Sequence, residues 1–180
     1  MLKLHANNGV ASRIFQRVEL KLGYADESSN ETYLGLTDED FRATPNRRYP
    51  ASRLGNMDWT RTQAKLTHTL MAGEGFELTT SLYRHDFQRA WLKLNGFAAL
   101  SGVDIHDALR DPMNPRYRPF VDLLRGESDW TGDEAERLRI GTNDREYISQ
   151  GIQSQLSFTA NWSTFRNTVD LGVRVHHDEI

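Results

Sequence analysis

His176-His177-Asp178-Glu179 collects four side chains of the kinds that ligate divalent metals, and His85-Asp86 repeats the combination on a smaller scale. Both lie where apolar and polar residues alternate, which is the period of a strand. Successive strand side chains point to opposite faces, so His176 pairs with Asp178 and His177 with Glu179, and the four cannot converge on one ion without ligands from another strand. Arg47-Arg48-Tyr49 and Arg116-Tyr117-Arg118 offer a different chemistry, because each sets guanidinium groups beside an aromatic ring. Planar guanidinium forks bind carboxylates bidentately, which makes Arg47, Arg48, Tyr49, Arg116 and Arg118 the candidate contacts for an anionic ligand. The competing assignment is ion pairing with nearby acids. No Gly-x-Ser-x-Gly elbow, His-Glu-x-x-His, phosphate-binding glycine loop or dinucleotide fingerprint is present. Asp38 with Asp40 and Glu134 with Glu136 fall in polar segments and read as solvated. Accordingly no catalytic residue, metal ligand or cofactor is expected, and the chain is not read as an enzyme.

Composition excludes further classes. The 180 residues hold 22 Lys and Arg against 25 Asp and Glu, a net charge of -3. That is too little charge, too evenly interspersed, for a nucleic-acid partner. A hydrophobic share of 38% and a mean hydropathy of -0.65 suit a soluble domain, and equally a transmembrane barrel, which gives only alternate strand residues to lipid. No run approaches the roughly 18 apolar residues of a membrane helix. Cysteine is absent, which removes disulfides, thiolate metal sites and thiol nucleophiles together. Met1-Leu2-Lys3-Leu4-His5 lacks the cationic start and apolar stretch of a secretory signal, so an exported protein would be incomplete here. Leu2 and Leu4 alternating with Lys3 and His5 read as the end of a strand begun earlier, and Ile180 as an end within or just after one.

The elements that position these residues follow from the same two-residue period. After a turn at Ala6-Asn7-Asn8-Gly9, a strand is expected from about Ile14 to Tyr24, with Val18, Leu20, Leu22 and Tyr24 opposite Arg17, Glu19, Lys21 and Gly23. A second runs from about Trp59 to Met71, with Ala64, Leu66, His68 and Leu70 on one face and Arg61, Gln63, Lys65 and Thr67 on the other. Ala72-Gly73-Glu74-Gly75 reverses the chain into a third, from about Phe76 to Phe87, where Phe76, Leu78, Thr80 and Leu82 share a face. The beat resumes at Tyr147, with Ile148, Ile152, Leu156 and Phe158 aligned. After a turn near Ala160-Asn161-Trp162-Ser163 it ends on Val169, Leu171, Val173 and Val175.

Between these strands lie polar connections over residues 25–57 and 88–143, far longer than hairpin turns. Thr37 before Asp38-Glu39-Asp40 predicts a short helix in the first, stopped by Pro45. Val103, Ile105, Ala108 and Leu109, then Phe120, Val121, Leu123 and Leu124, have helical spacing in the second, chopped by prolines and glycines. This second stretch reads as an insertion with too few apolar residues for a core of its own.

Short turns on one side, long connections on the other and strands of about ten residues describe an outer-membrane barrel. The expected fold is all-β, with antiparallel up-and-down strands forming part of a transmembrane β-barrel and short helices in extracellular loops. The lipid-facing residues are then Val18, Leu20, Leu22, Leu66, Leu70, Leu78, Leu82, Ile152, Leu156, Val169, Leu171 and Val173. Tyr24, Trp59, Phe76, Phe87 and Trp162 near strand ends suit interfacial girdles. The alternative is a soluble extracellular β-sandwich that binds carbohydrate or protein, and it requires a second apolar layer over Val18, Leu20 and Leu22 and over Val169, Leu171 and Val173. An enzyme built on a barrel would instead need polar groups converging at the rim.

Leu22-Gly23-Tyr24-Ala25-Asp26-Glu27, Glu31-Thr32-Tyr33-Leu34-Gly35-Leu36-Thr37-Asp38 and Arg47-Arg48-Tyr49-Pro50-Ala51-Ser52 resemble one strand and its loop in TonB-dependent outer-membrane receptors of the ferric-citrate and siderophore group. Tyr83 to Asn95, Asn143 to Gln153 and Gly172-Val173-Arg174-Val175-His176-His177-Asp178-Glu179-Ile180 extend the resemblance over nearly all of the chain. It implies a fragment holding about five or six of about 22 strands, without plug or signal peptide. It also implies a location in the bacterial outer membrane and import of a ferric chelate by energy-coupled transport rather than catalysis. The implied partners are the ferric chelate, the outer-membrane lipid and the TonB energy-transducing complex, the last through a missing N-terminal region. In that setting the loop arginines could also meet lipopolysaccharide phosphates, and the polar strand faces would meet a plug. Alone, such a fragment is expected to aggregate or to need detergent.

Overall fold

The structure, a computed structural model, describes residues 1–180. Six strands form one antiparallel sheet in chain order: β1 (Leu2–Asn7), β2 (Ile14–Ser29), β3 (Asn56–Ala72), β4 (Phe76–Phe97), β5 (Leu138–Trp162) and β6 (Phe165–Glu179). The fold is therefore mostly β, up-and-down and open, compatible with part of a barrel, and β1 and β6 each have a single neighbour. Three short helices, α1 (Asp38–Ala43), α2 (Ile105–Arg110) and α3 (Arg118–Arg125), occupy the long connections.

The strands exceed the sequence expectation. β4 has 22 residues and β5 has 25, against about five or six for an ordinary strand. The connections correspondingly shrink from residues 25–57 and 88–143 to 30–55 and 98–137. Apolar alternation marks a strand only where one face meets an apolar phase, whereas the backbone ladder also holds through polar runs such as Asp144-Arg145-Glu146.

Two compact units divide the chain. The first contains Met1–Asp26, Thr60–Gln88 and Arg145–Ile180. Its register aligns the apolar rows, with Leu2 opposite Leu22, Leu4 opposite Leu20 and Ala6 opposite Val18. In the last hairpin Ile152 faces Val175, Leu156 faces Leu171 and Phe158 faces Val169. Trp162 pairs with Phe165 across a two-residue turn, where Ser163 takes a φ of 57°. A one-residue slip would put every one of these apolar side chains on the polar face.

The second unit contains Glu27–Trp59 and Arg89–Asp144. The chain's buried apolar core lies here, in Leu34, Tyr49, Leu94, Phe97, Ile105, Ala108, Leu109, Val121 and Leu124. This corrects the expectation of an insertion without a core of its own. α2 supplies Ile105, Ala108 and Leu109 and α3 supplies Val121 and Leu124, too few on either helix to register as a core by themselves, while α1 buries none. Joined to Leu34 and to the β4 residues Leu94 and Phe97, with Phe97 edge-on to Phe120 at 4.8 Å, they close a core. Caps set the helix limits. Thr37 caps α1, which ends before Pro45 as expected, Asp104 caps α2, and Gly126 ends α3 with a φ of 72°.

Candidate functional site

In the first unit the sheet has two chemically distinct faces. The residues expected to face lipid share the apolar one. Val18, Leu22, Leu66, Leu82, Ile152, Val169, Leu171 and Val173 are exposed there, up to 65% for Val173, while Leu20, Leu70, Leu78 and Leu156 are half-buried. The first unit has no second layer over this face, since all of its strands belong to the one sheet. Polar groups that interrupt it are paired: Thr80 Oγ1 lies 2.9 Å from Ser154 Oγ, and His68 Nε2 lies 3.2 Å from Gln16 Oε1. Where the apolar row of β4 ends, Arg84 donates to both oxygens of Asp86, at 2.7 to 3.0 Å, and to Gln150.

The opposite face is a hydrogen-bonded polar surface. Glu19 accepts from Arg17 at 2.7 Å and pairs with Lys3 at 3.1 Å, while Thr67 meets Ser81 at 3.1 Å. The most connected group joins β4 to β6. Arg174 Nε donates to Tyr83 Oη at 3.0 Å, Tyr83 lies 2.7 Å from His176 Nδ1, and His176 Nε2 lies 2.8 Å from Asp178. Gly151 makes room for it, since a Cβ there would meet the Tyr83 hydroxyl and the Val175 carbonyl. His176 and Asp178 thus share one face, and the chain holds no cluster of three or more His, Cys, Asp or Glu placed to bind a metal ion.

In the second unit Arg47, Arg48 and Tyr49 come together on a cleft of about 250 Å³ that Tyr33, Phe41 and Pro45 also line. Only Arg47 of the three keeps a partly free cation. Tyr49 is 1% exposed and its hydroxyl donates to the Asp40 carboxylate. Arg48 donates to the carbonyls of Asn30, Ser52 and Gly55, so it holds the loop in shape. Arg47 lies 3.5 Å from Asp40, which also accepts from Thr37 at 2.9 Å and from Arg125 Nε at 2.8 Å. Burial pushes the Asp40 carboxyl up, but the hydrogen bonds from Tyr49, Thr37 and Arg125 outweigh it and leave the group below the usual carboxylate range. Arg118 lines a separate cleft of about 450 Å³ with Asp122 and Glu136, and Arg116 donates to the Gly102 carbonyl at 2.8 Å. The two arginine triplets do not share a cleft.

A third group in this unit was not singled out from the sequence. Arg89, Trp91 and Lys93 occupy alternate positions of β4, and Tyr33 meets Trp91 edge-on at 5.5 Å. The Lys93 ammonium is 4.4 Å from the Tyr33 ring centre and 5.2 Å from that of Trp91, while the Arg89 guanidinium is 5.8 Å from the Trp91 ring. Arg89 Nε and Trp91 Nε1 are buried with no hydrogen-bond partner. Neither cation belongs to any ion pair of the chain. The sequence signal was the cation-aromatic-cation alternation itself, placed on one face by the strand period once β4 is known to continue past Phe87.

No protein-family model, curated protein or solved structure matches the chain.

The functional reading therefore rests on the geometry. The first unit offers an apolar face and a hydrogen-bonded polar face. The second offers cations held over aromatic rings on a surface braced by a buried core.

Proposed function

We propose that this chain is a section of the wall of a TonB-dependent receptor in the bacterial outer membrane, and that its long connections help to capture a ferric chelate for energy-coupled import. The observation that carries the reading is the uncovered apolar face of the first unit, backed by a polar face whose side chains bond to one another. A sandwich would need a second sheet over Val18 and Leu171, and the strands form one sheet only. The dimensions agree with a membrane crossing. The outward row from Phe165 to Val175 spans about 11 residues, or about 36 Å of strand at 3.3 Å each, and a tilt of about 45° reduces that to about 25 Å, the height of a barrel's apolar band. Thr80 with Ser154 fits the same setting, because a hydroxyl facing hydrocarbon needs a protein partner.

The division of labour follows. The wall residues exclude lipid from the lumen and hold the loops, while loop cations attract an anionic chelate. On the resemblance, transport itself requires the remaining strands, the plug and the TonB complex. The absence of cysteine makes the test direct. Single cysteines at Leu171 and Val173, and at Asp170 and Arg174, are labelled with a fluorophore in membranes containing brominated lipid. Quenching confined to the Leu171 and Val173 labels is expected; equal or absent quenching at all four sites refutes the wall reading.

A further inference from the structure

Two clefts follow one another along the apolar face of the first unit. One, of about 510 Å³, is walled by Leu20, Ala64, Leu66, Leu82, Ile152 and Val175. Ala64 is the smallest of these side chains and leaves the dip that its larger neighbours bound. The other, of about 280 Å³, is polar, and Thr60, Thr62, Asp86 and Glu146 help to line it. Arg84 borders both. Its charge is already answered by the two oxygens of Asp86, and Gln150 accepts a further N–H. His177, opposite Gln150 in the register, lines the same border. Glu146 by contrast is exposed and enters none of the chain's ion pairs. Glu179 also lies close enough for its charge to act on Arg84.

We propose that the two clefts hold one lipid molecule, with an alkyl chain in the apolar cleft and an amine-bearing head in the polar one. An apolar depression that opens directly into a polar one has the layout of a head-and-tail ligand. Charge selects the head. Arg84 has spent its cation on Asp86, so a purely anionic head finds no unanswered positive charge there, while Glu146 and Glu179 repel it. An ammonium carries three donors and no acceptor, which suits the Glu146 carboxylate and the hydroxyls of Thr60 and Thr62. In a zwitterionic head the phosphate meets Arg84 at the border and the amine reaches on to Glu146. The inference deepens the wall reading by naming the lipid head that this face selects, and it rests on that reading for placing the face in lipid.

The test is native mass spectrometry of the full chain released from nonionic detergent. The probes are lysophosphatidylethanolamine and lysophosphatidylglycerol of equal chain length, which share a phosphate and differ in the amine. One amine lipid per chain is expected, with the glycerol lipid at least about tenfold weaker. Glu146→Gln should weaken the amine lipid about tenfold and leave the glycerol lipid unchanged. Ala64→Phe fills the apolar cleft from an exposed position and should weaken both lipids, whereas Val169→Phe, on the same face outside the cleft, should change neither. Unchanged circular dichroism in each variant confines these effects to binding. Equal affinity for the two lipids, equal losses in Ala64→Phe and Val169→Phe, or full amine preference in Glu146→Gln would each overturn the site. So would a protein dimer in place of bound lipid, which assigns the face to a second copy. Lipid quenching at Leu171 and Val173 without a head preference refutes the site alone, and a head preference without quenching refutes the wall alone.

Discussion

Arg125 reaches from the end of α3 to the Asp40 carboxylate in α1, Nε to Oδ2 at 2.8 Å, and the same carboxylate accepts the hydroxyl of Tyr49. The side chains of both ion-pair partners are only about one-seventh exposed, at 15% for Arg125 and 14% for Asp40. This contact ties the 27–59 segment to the 89–144 segment within the second unit, and it does so with charge in a place where removing either charge strands the other.

Arg125→Met should therefore cost the second unit about 3 kcal/mol, near the lower end of what breaking a buried pair costs. Proteolysis of the long connections under native conditions would report it as faster cleavage within residues 30–55 and 98–137. Arg42→Met, whose partner Asp38 is almost fully exposed, should leave the cleavage rate unchanged.

Acid should loosen the same unit. Asp40 titrates below the usual carboxylate range in the folded chain, so the unfolded chain binds its proton first. Its stabilisation is thus complete above the ordinary aspartate pKa and is lost as pH falls through the lower folded value. Hydrogen exchange at Val121 and Leu124 should accelerate in that acid window in the parent chain and show a weaker pH dependence in Asp40→Asn.

Leu124 is fully buried, and Leu124→Ala should cost about 2 to 5 kcal/mol through the lost side chain and the cavity left behind. Near-ultraviolet circular dichroism and proteolysis should both report loosening of the second unit. On the wall reading, Leu171→Ala produces no such change, because its side chain faces lipid instead of protein.

Leu171→Arg should be far more damaging than Leu171→Ala in a membrane, since a charge near the centre of a barrel's lipid face costs about 2 to 4 kcal/mol. Reduced outer-membrane yield, with Asp170→Asn assembling normally, is the expected result. Equal yields of the two variants would contradict the assigned faces.

Gly151→Ala tests the polar face. The new methyl would meet the Tyr83 hydroxyl and the Val175 carbonyl, so an overpacking cost of about 1 to 3 kcal/mol is expected. Nitrogen NMR of His176 should show the loss of the Tyr83 contact at Nδ1.

The strand cores were legible because their apolar residues recur every second position, and Thr37 with its three acids announced α1 correctly. Strand ends were not legible. Beyond Tyr24 and Phe87 the side chains stop reporting a single apolar surface, while β2 and β4 persist on backbone pairing to Ser29 and Phe97. The core of the second unit was missed for a related reason, since Leu34, Phe97 and Leu124 are brought together only by tertiary structure. At the candidate site, Tyr49 is buried and Arg48 is engaged by loop carbonyls, which residue type alone does not reveal. Arg89-Trp91-Lys93 was visible as a pattern, and its missing counterions became visible only with the distances.

The core beneath the long connections bears on timing. Segments that are already folded lose little chain entropy when a guest arrives, so the rate of first encounter should depend on charge and diffusion instead of on a slow folding step. Raising the salt concentration should then slow capture by this surface, while changes to the buried residues around Leu124 should mainly shorten the time a captured guest stays.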